Sequence, residues 1–298
     1  MKIGLGIGGG LAPAHTVAIA HEADAAGIDS FWLTEGAAGD AFAVLSAAST
    51  VTTRIRLGTA VVNVHTRSLP LIAMAAATVA DLAPGRFALG LGAGHAEQVS
   101  GEHGLPFERP IAKLLDAIEV VRAVQQTGRL AAKDLRTTRI DAFRLTFPPP
   151  PAAPIYVAVG GPRTARIAAD FADGALFVWR SPDDIAALRT TALTAKPAAL
   201  LLHVAVGDDP SACEAALVAA RTRHSAFGRY RVLFDTQRTR PGIVCIRMGD
   251  LVDAVQQYDD AGLNELILLP IATSGDLAEA AATRLVRLFV AARSSGAL

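Results

Sequence analysis

The sequence predicts an α/β protein in which eight parallel strands and their helices close into one (β/α)8 TIM barrel. Three observations support this prediction. Short apolar runs typical of buried strands alternate with segments of helical period, eight such runs occur along the chain, and a length of 298 residues suits one large domain. An open, doubly wound sheet is the alternative that the same alternation allows. We expect a single domain over residues 1–298.

The predicted strands and helices follow one another in regular order. The strands cover residues 2–7, 30–34, 55–61, 86–91, 155–159, 175–178, 199–206 and 265–269. The helices cover residues 16–26, 40–51, 69–82, 111–126, 163–172, 182–195, 210–226, 251–261 and 277–292. Local signals support these bounds. Asp40 can cap the second helix, Gly27 and Gly262 stand where helices end, and Pro182 suits a first helical turn.

Two segments interrupt the alternation. Residues 127–154 contain polar residues typical of strands and four consecutive prolines, whereas residues 227–249 mix arginine, aromatic residues and glycine without a clear period. We interpret both segments as insertions at a face of the barrel. One insertion follows strand four and the other precedes strand eight.

Composition and charge narrow the functional classes. Basic and acidic residues both number 28, so no overall field favours nucleic acid or an anionic membrane. No apolar run reaches the roughly 18 residues of a membrane span, and the amino terminus shows no signal-peptide pattern. Cys213 and Cys245 do not have metal-binding spacing, and the chain has no HExxH motif, so no metal site is predicted. We expect a cytoplasmic protein that acts on a small molecule.

The loops that follow the strands build the active site of such a barrel, at the carboxyl ends of the strands. Glycine is concentrated in these loops, where it lets the backbone approach a flat ligand closely. The segment from Gly160 to Thr164 follows a strand and opens a helix, so its free N–H groups could hold a phosphate. A plain tight turn explains the same residues equally well.

Several segments carry a resemblance to a known family. Residues 25–35, 54–61 and 82–94 resemble the bacterial luciferase-like family, and residues 155–162 with 172–174 resemble its coenzyme F420-dependent branch. That branch includes methylenetetrahydromethanopterin reductase and F420-dependent glucose-6-phosphate dehydrogenase. The resemblance implies the barrel fold, a tricyclic deazaflavin cofactor and a homodimer.

The resemblance also implies which residues hold the cofactor. A non-prolyl cis peptide between Ala60 and Val61, in a bulge after strand three, would support the back of the tricyclic ring, and Asn63 would contact the ring. The other implied contacts are the backbone of Ala93 and Gly94, the side chain of Gln98, and a phosphate-binding turn of Gly160, Gly161, Arg163 and Thr164.

The sequence departs from this branch at several positions. Gly36 stands where relatives commonly carry histidine, and His95 stands where the glucose-6-phosphate enzyme has a catalytic glutamate. Val178 and Ser181 replace the threonine and lysine that bind the substrate phosphate there. Glucose 6-phosphate is therefore not the expected substrate.

Some side chains near the strand ends have both a catalytic and a structural interpretation. His95 is the first candidate for a general acid or base, although it could simply cap its loop. Glu35 could bind the ring or relay a proton, or it could be a solvated carboxylate. Substrate-pocket positions are expected for His65, Val178 and Trp179. Structural positions are expected for His21, His203 and Trp32.

Taken together, these features predict an oxidoreductase that moves a hydride between F420 and a small organic substrate with a C=N, C=C or C=O (alcohol) group. An FMN-dependent luciferase-like monooxygenase, fed by a separate reductase, is the first alternative because both rings fit a similar slot. A non-catalytic flavin-binding homologue is the second alternative because a histidine is missing at Gly36.

Overall fold

Parallel strands alternate with helices along the computed structural model, which describes residues 1–36, 39–189, 193–236, 241–273 and 277–298. The strands are β1 (Lys2–Ile7), β2 (Ser30–Leu33), β3 (Arg56–Thr59), β4 (Val62–Asn63), β5 (Phe87–Gly92), β6 (Arg129–Leu130), β7 (Lys133–Asp134), β8 (Arg139–Ile140), β9 (Phe143–Arg144), β10 (Ile155–Ala158), β11 (Gly174–Val178), β12 (Ala198–Val206), β13 (Ile243–Cys245) and β14 (Glu265–Ile271). The helices are α1 (Pro13–Ala25), α2 (Ala41–Val51), α3 (Leu69–Leu82), α4 (Ala96–Gly101), α5 (Pro110–Thr127), α6 (Pro162–Phe171), α7 (Pro182–Arg189), α8 (Pro210–His224), α9 (Gly228–Thr236), α10 (Met248–Asp260) and α11 (Ala278–Ser294).

Eight of these strands form the barrel wall. Their order around the wall is β1, β2, β3, β5, β10, β11, β12 and β14, and β14 returns to pair with β1. All of these pairings are parallel, including the one between β5 and β10, in which Tyr156 lies opposite Gly90. The ring of pairings confirms the predicted barrel and excludes the open sheet.

The local signals that predicted the element bounds are confirmed. The side chain of Asp40 accepts a hydrogen bond from the backbone N–H of Ala43 at 3.1 Å, which caps α2. Gly27 and Gly262 follow α1 and α10 with φ angles of 78° and 79°, a left-handed conformation that glycine adopts without strain. Helix α7 begins at Pro182 as predicted, and residues 190–192 of its predicted span lie outside the described residues.

The two predicted insertions lie at opposite ends of the barrel. Residues 127–154 connect the end of α5 to the start of β10, at the amino ends of the barrel strands, and hold two short antiparallel pairs, β6 with β9 and β7 with β8. The second insertion is longer than predicted. Helices α8 and α9 and strand β13 all stand between β12 and α10, and α10 packs against the outer helices α7 and α11.

Residues 227–249, in which the sequence showed no clear period, contain the helix α9 over Gly228–Thr236. No residue of α9 is fully buried, so its helical period left no apolar pattern in the sequence. Helix α4 was not predicted either. We call α8 and α9 together the roof, because residues from both helices cover the carboxyl end of the barrel.

A charged pair lies inside the barrel near the amino ends of the strands. The carboxylate of Glu265 binds the guanidinium of Arg56 and accepts hydrogen bonds from the hydroxyl of Ser30 and from Trp32 Nε1, the latter at 2.7 Å. The Arg56 guanidinium also lies 5.4 Å from the centre of the Trp32 ring. Trp32 is therefore a packing residue, as predicted.

Three further findings concern membrane-spanning helices, metal sites and the cysteines. No helix among the described residues is both long and apolar enough to cross a membrane. Within the same residues, no group of three or more His, Cys, Asp or Glu side chains is placed to hold a metal ion. Cys213 and Cys245 are both buried, and neither forms a disulfide.

Candidate functional site

A cavity of about 670 Å³ opens at the carboxyl ends of the barrel strands, beneath the roof. Its size is typical of sites that hold small molecules and cofactors. The structure brings together most of the residues that the sequence proposed. Those that line the cavity are Glu35, Ala60, Val61, Asn63, Ala93, Gly94, His95, Gln98, Gly160 and Val178.

A bulge between β3 and β4 forms one wall of this cavity. The pairing of β3 with β5 stops at Gly58, and the hydroxyl of Thr59 bridges the gap by donating to the carbonyl of Gly90 at 2.9 Å and accepting from its N–H at 2.8 Å. The next peptide bond, Ala60–Val61, is cis, as the resemblance implied. Both of its residues line the cavity.

Asn63 presents a free amide beside this bulge. Its Oδ1 accepts a hydrogen bond from the backbone N–H of His65 at 2.9 Å, which holds the side chain in place. Its Nδ2 is buried and has no hydrogen-bond partner among the described residues. A Cβ atom added at Gly94 would lie 2.5 Å from Nδ2, and Gly94 has a φ of 75°. Glycine at 94 therefore allows the loop after β5 to close over the amide.

His95 immediately precedes the short helix α4 and faces the roof. Its ring centre lies 4.7 Å from that of Phe227 and 5.3 Å from that of Tyr230. Burial lowers the pKa of His95, and the positive charge of Arg229 lowers it further. The imidazole is consequently neutral at pH 7 and suited to accept a proton.

Glu35 is held by an arginine that sequence reasoning did not identify. Arg67 Nη2 lies 2.6 Å from Glu35 Oε1 and 2.8 Å from Asp40 Oδ2. The other carboxylate oxygen of Glu35, Oε2, is buried and has no hydrogen-bond partner among the described residues. Glu35 is therefore a partly buried, anchored carboxylate and not a freely solvated one.

The turn predicted to bind phosphate is closed by its own threonine. Thr164 Oγ1 accepts hydrogen bonds from the backbone N–H groups of Gly160 at 3.0 Å and Gly161 at 3.2 Å. Its hydroxyl donates to the carbonyl of Gly161 at 3.0 Å. Only Gly160 of the turn lines the main cavity. A Cβ atom at Gly160 would lie 2.7 Å from Arg229 Cδ, so a guanidinium side chain packs directly on this glycine.

Arg163 lies at a second, smaller cavity of about 330 Å³ next to the first. The two cavities share Ala93, Gly94, His95 and Arg229, so they adjoin along the loop after β5. A ligand in the main cavity could extend a charged group towards Arg163 along this route.

Two residues expected in the substrate pocket lie behind its lining. The ring of His65 packs on Phe107 at 5.0 Å, and its Nε2 lies 3.3 Å from the carbonyl oxygen of Glu108. Trp179 has a φ of 55°, is almost fully buried, and stacks on His203 with 3.8 Å between ring centres. His203 was expected to be structural, but it lines the cavity.

The roof supplies functional candidates that sequence reasoning missed. Ala220, Arg223 and His224 lie on one face of α8, and all three line the cavity. The sequence signal for this face was the i, i+3, i+4 spacing of a small residue, a cation and a histidine, which places all three on one side of a helix. Other lining residues that were not proposed as site residues include Arg180, Phe227, Arg229 and Tyr230.

The hydrogen bond of His224 fixes the positions of its protons. Its Nδ1 lies 2.9 Å from the carbonyl oxygen of Ala220. Because a carbonyl oxygen can only accept, Nδ1 carries the proton. Burial lowers the pKa of His224, so the ring is neutral at pH 7 and its Nε2 is an acceptor. The cavity thus contains a second imidazole that can accept a proton.

Comparison with known proteins assigns the chain to a family. The family model described as luciferase-like monooxygenase matches residues 2–291. The chain belongs to this luciferase-like family. The match includes the barrel and both insertions, so it covers all the elements that line the cavity.

Relatives of this luciferase-like chain include two curated enzymes. The 5,10-methylenetetrahydromethanopterin reductase of Archaeoglobus fulgidus is 30% identical over 164 residues, covering 54% of this chain and 48% of the relative. The F420-dependent glucose-6-phosphate dehydrogenase of Amycolatopsis mediterranei is 32% identical over 175 residues, covering 54% of this chain and 52% of the relative. The chain therefore spans about half the length of these relatives.

A solved structure shares the whole fold of the luciferase-like chain. It is an F420-dependent secondary alcohol dehydrogenase in complex with an F420–acetone adduct. The superposition has a TM-score of 0.78, covers 97% of this chain and 98% of that chain, and has 17% sequence identity. At this identity the likeness shows the fold alone.

The lining of the luciferase-like barrel fits a flat ring with a polar edge. Asn63 Nδ2 and Glu35 Oε2 are buried polar atoms that lack a partner among the described residues, and both side chains line the cavity. Such atoms normally have partners in native structures, so a ligand that bonds to them would remove an energetic cost. Gly94 adds no side chain to the same wall, where a Cβ atom would meet the Asn63 amide.

Proposed function

We propose that this protein is an F420-dependent oxidoreductase that transfers a hydride between the deazaflavin and a small organic substrate with a C=N, C=C or C=O (alcohol) group. When bound, the deazaflavin supplies the hydride chemistry that side chains cannot supply. The proposal is carried by the unpartnered Asn63 amide beside the Ala60–Val61 bulge, in a cavity large enough for a tricyclic ring and a small substrate. The names of the curated relatives support F420 over FMN.

Different residues would bind the cofactor and transfer the proton. Asn63 would bond to the polar edge of the ring through Nδ2, and Arg229 would neutralise an anionic part of the cofactor near Gly160. His95 would hold or accept the substrate proton, because burial and Arg229 keep its ring neutral. The roof would exclude water from the space between these groups.

A fluorescence titration with F420 and FMN, side by side, tests this proposal. We expect F420 to bind at least about tenfold more tightly than FMN, a difference of about 1.4 kcal/mol. Asn63→Leu should weaken F420 binding by about tenfold or more. Gln257→Leu, which alters an exposed amide on α10, should leave it unchanged. Equal or reversed affinities for the two cofactors would overturn the proposal.

The other two functional classes have distinct outcomes in the same experiment. An FMN-dependent monooxygenase would bind FMN more tightly than F420. A non-catalytic homologue would bind F420 and fail to turn over any imine, enone or alcohol in a substrate panel. The first result would contradict the choice of cofactor, and the second would contradict the catalytic role of His95.

A further inference from the structure

One wall of the cavity combines two arginines, which carry its positive charge, with two neutral histidines, and the Asp184 carboxylate whose charge acts on Arg180 lies outside the described lining. Arg180 follows β11, His203 lies on β12, and Arg223 and His224 lie on α8, and all four line the cavity. We call these four residues the cationic wall. Among the described lining residues, Glu35 is the only carboxylate, and Arg67 already neutralises it.

Arg180 has an unused donor in this wall. Its side chain is half-buried, and its Nε is buried without a hydrogen-bond partner among the described residues. Burial lowers the pKa of Arg180, the Asp184 carboxylate opposes this shift, and the like charge of Arg229 adds to it. An arginine remains a cation at neutral pH in spite of such a shift. A buried guanidinium with a free donor favours an anionic partner.

His203 provides a second, independent observation. The residue is 4% exposed, and its Nδ1 has no hydrogen-bond partner among the described residues. Its ring is fixed by the stack on Trp179, with an angle of 12° between the ring planes. Burial lowers the pKa of His203 well below its ordinary value, so the ring is neutral. A buried, neutral and immobile imidazole with an unused nitrogen is suited to hydrogen-bond a ligand.

We propose that the cationic wall binds a carboxylate of the substrate, so that the substrates of this protein are small organic acids. This inference rests on the proposed function for its description of the ligand as substrate. A carboxylate fits because an arginine offers Nε–H and an Nη–H side by side, a pair that matches two carboxylate oxygens. Arg223, which is exposed at the mouth, would attract the acid during entry.

The wall is separate from the predicted phosphate turn. Gly160 and Arg163 follow β10, whereas Arg180 and His203 belong to the next two barrel strands, β11 and β12. Arg229 packs on Gly160 and its charge also acts on Arg180, so it adjoins both the turn and the wall. A cofactor phosphate near Gly160 would therefore leave Arg180 and His203 available for a second anion.

Calorimetric titration of the cofactor-free protein tests the wall directly. The probes are acetate, succinate and benzoate, each compared with its neutral amide. At least one acid should bind about tenfold or more tightly than its amide. Arg180→Gln should weaken that acid by about tenfold or more, Arg180→Lys should weaken it less, and Arg163→Gln should leave it unchanged. Circular dichroism confirms that each variant is folded.

Three outcomes would overturn the inference. The first is that no acid is preferred over its amide. The second is that Arg163→Gln, and not Arg180→Gln, abolishes the preference. The third is that F420 competes with the acid for the same site. If the acid binds equally well to free and F420-saturated protein, the wall is a separate substrate site. If F420 fails to bind at all while the acid responds to Arg180→Gln, the proposed function fails and the anion site stands.

Discussion

Removal of the Glu265 carboxylate should destabilise the protein strongly, because the charge lies inside the barrel. The side chain of Glu265 is 4% exposed and that of its partner Arg56 is 20% exposed. Glu265→Leu would leave the guanidinium without a counter-ion and would remove the acceptor used by Ser30 and Trp32. Breaking a buried ion pair from one side typically costs about 3–5 kcal/mol. For a chain near this size, that cost corresponds to a fall in Tm of about 6–20 °C.

A double-mutant cycle in urea separates the pair from its surroundings. Arg56→Met should also destabilise the protein, since it leaves the Glu265 carboxylate buried and unpaired. The double variant should lose less free energy of unfolding than the sum of the single losses, by about 1 kcal/mol or more. Asp134→Asn is the control, because its partner Arg139 and Asp134 itself are 59% and 78% exposed. That substitution should cost less than about 1 kcal/mol.

The measured quantities are the urea midpoint and the slope m for each variant. An unchanged slope with a lower midpoint shows a loss of stability between the same two states. Additive single losses, or a loss for Glu265→Leu no greater than that for Asp134→Asn, would refute the reasoning that the barrel interior isolates this charge from water.

Three further predictions concern the cavity and its surroundings. His95→Ala should lower kcat about 10²–10⁴-fold and leave the Kd for F420 within about threefold. Retention of most turnover in steady-state kinetics would contradict a role of His95 in proton transfer. Gly94→Ala should weaken F420 binding about tenfold or more, because the new Cβ would meet the Asn63 amide. Gly101→Ala is the control, because a Cβ atom there would meet nothing within 4 Å, and this variant should bind F420 normally in the same titration. Burial raises the pKa of Tyr230 to about 12 and also raises the pKa of the other two tyrosines, so native protein at about pH 10.5 should show little phenolate absorbance. These raised pKa values contribute to the free energy of unfolding below pH 10, and this contribution should be lost as the pH rises towards 12. A native spectrum equal to that of unfolded protein would contradict the raised pKa values.

The barrel could be predicted because its signals are local. Each wall strand is a short apolar run, and β1 and α3 have the bounds that the sequence indicated. The pairing of Arg56 with Glu265 could not be predicted, since 209 residues separate them and nothing in either neighbourhood marks the other. A buried ion pair depends on which strands close the ring, and that information is not local.

The candidate site was predictable only on the strand side. The loops after β3 and β5 contain Asn63, Gly94 and His95, which the resemblance placed in the site and which do line the cavity. The roof side was missed because α9 packs over a cavity instead of a core, so no apolar stripe marks it. Thr164 illustrates a different limit, since a hydroxyl that bonds to its own turn has the same sequence signature as one that binds phosphate.

The position of the roof has a consequence for how specificity can diversify. Helices α8 and α9 lie in the chain between β12 and α10. They therefore interrupt neither a pairing of barrel strands nor the order of the outer helices. Replacing the roof would alter Arg223, His224 and Tyr230 together, while the bulge and Asn63 would remain on the strands. Under the proposed function, the roof's share of substrate recognition and the strands' share of ring placement are thus encoded in different stretches of the chain. A grafted roof would therefore change the contacts of Arg223, His224 and Tyr230 and the cofactor contact proposed for Arg229, while Arg180 and His203 on the barrel side stay in place.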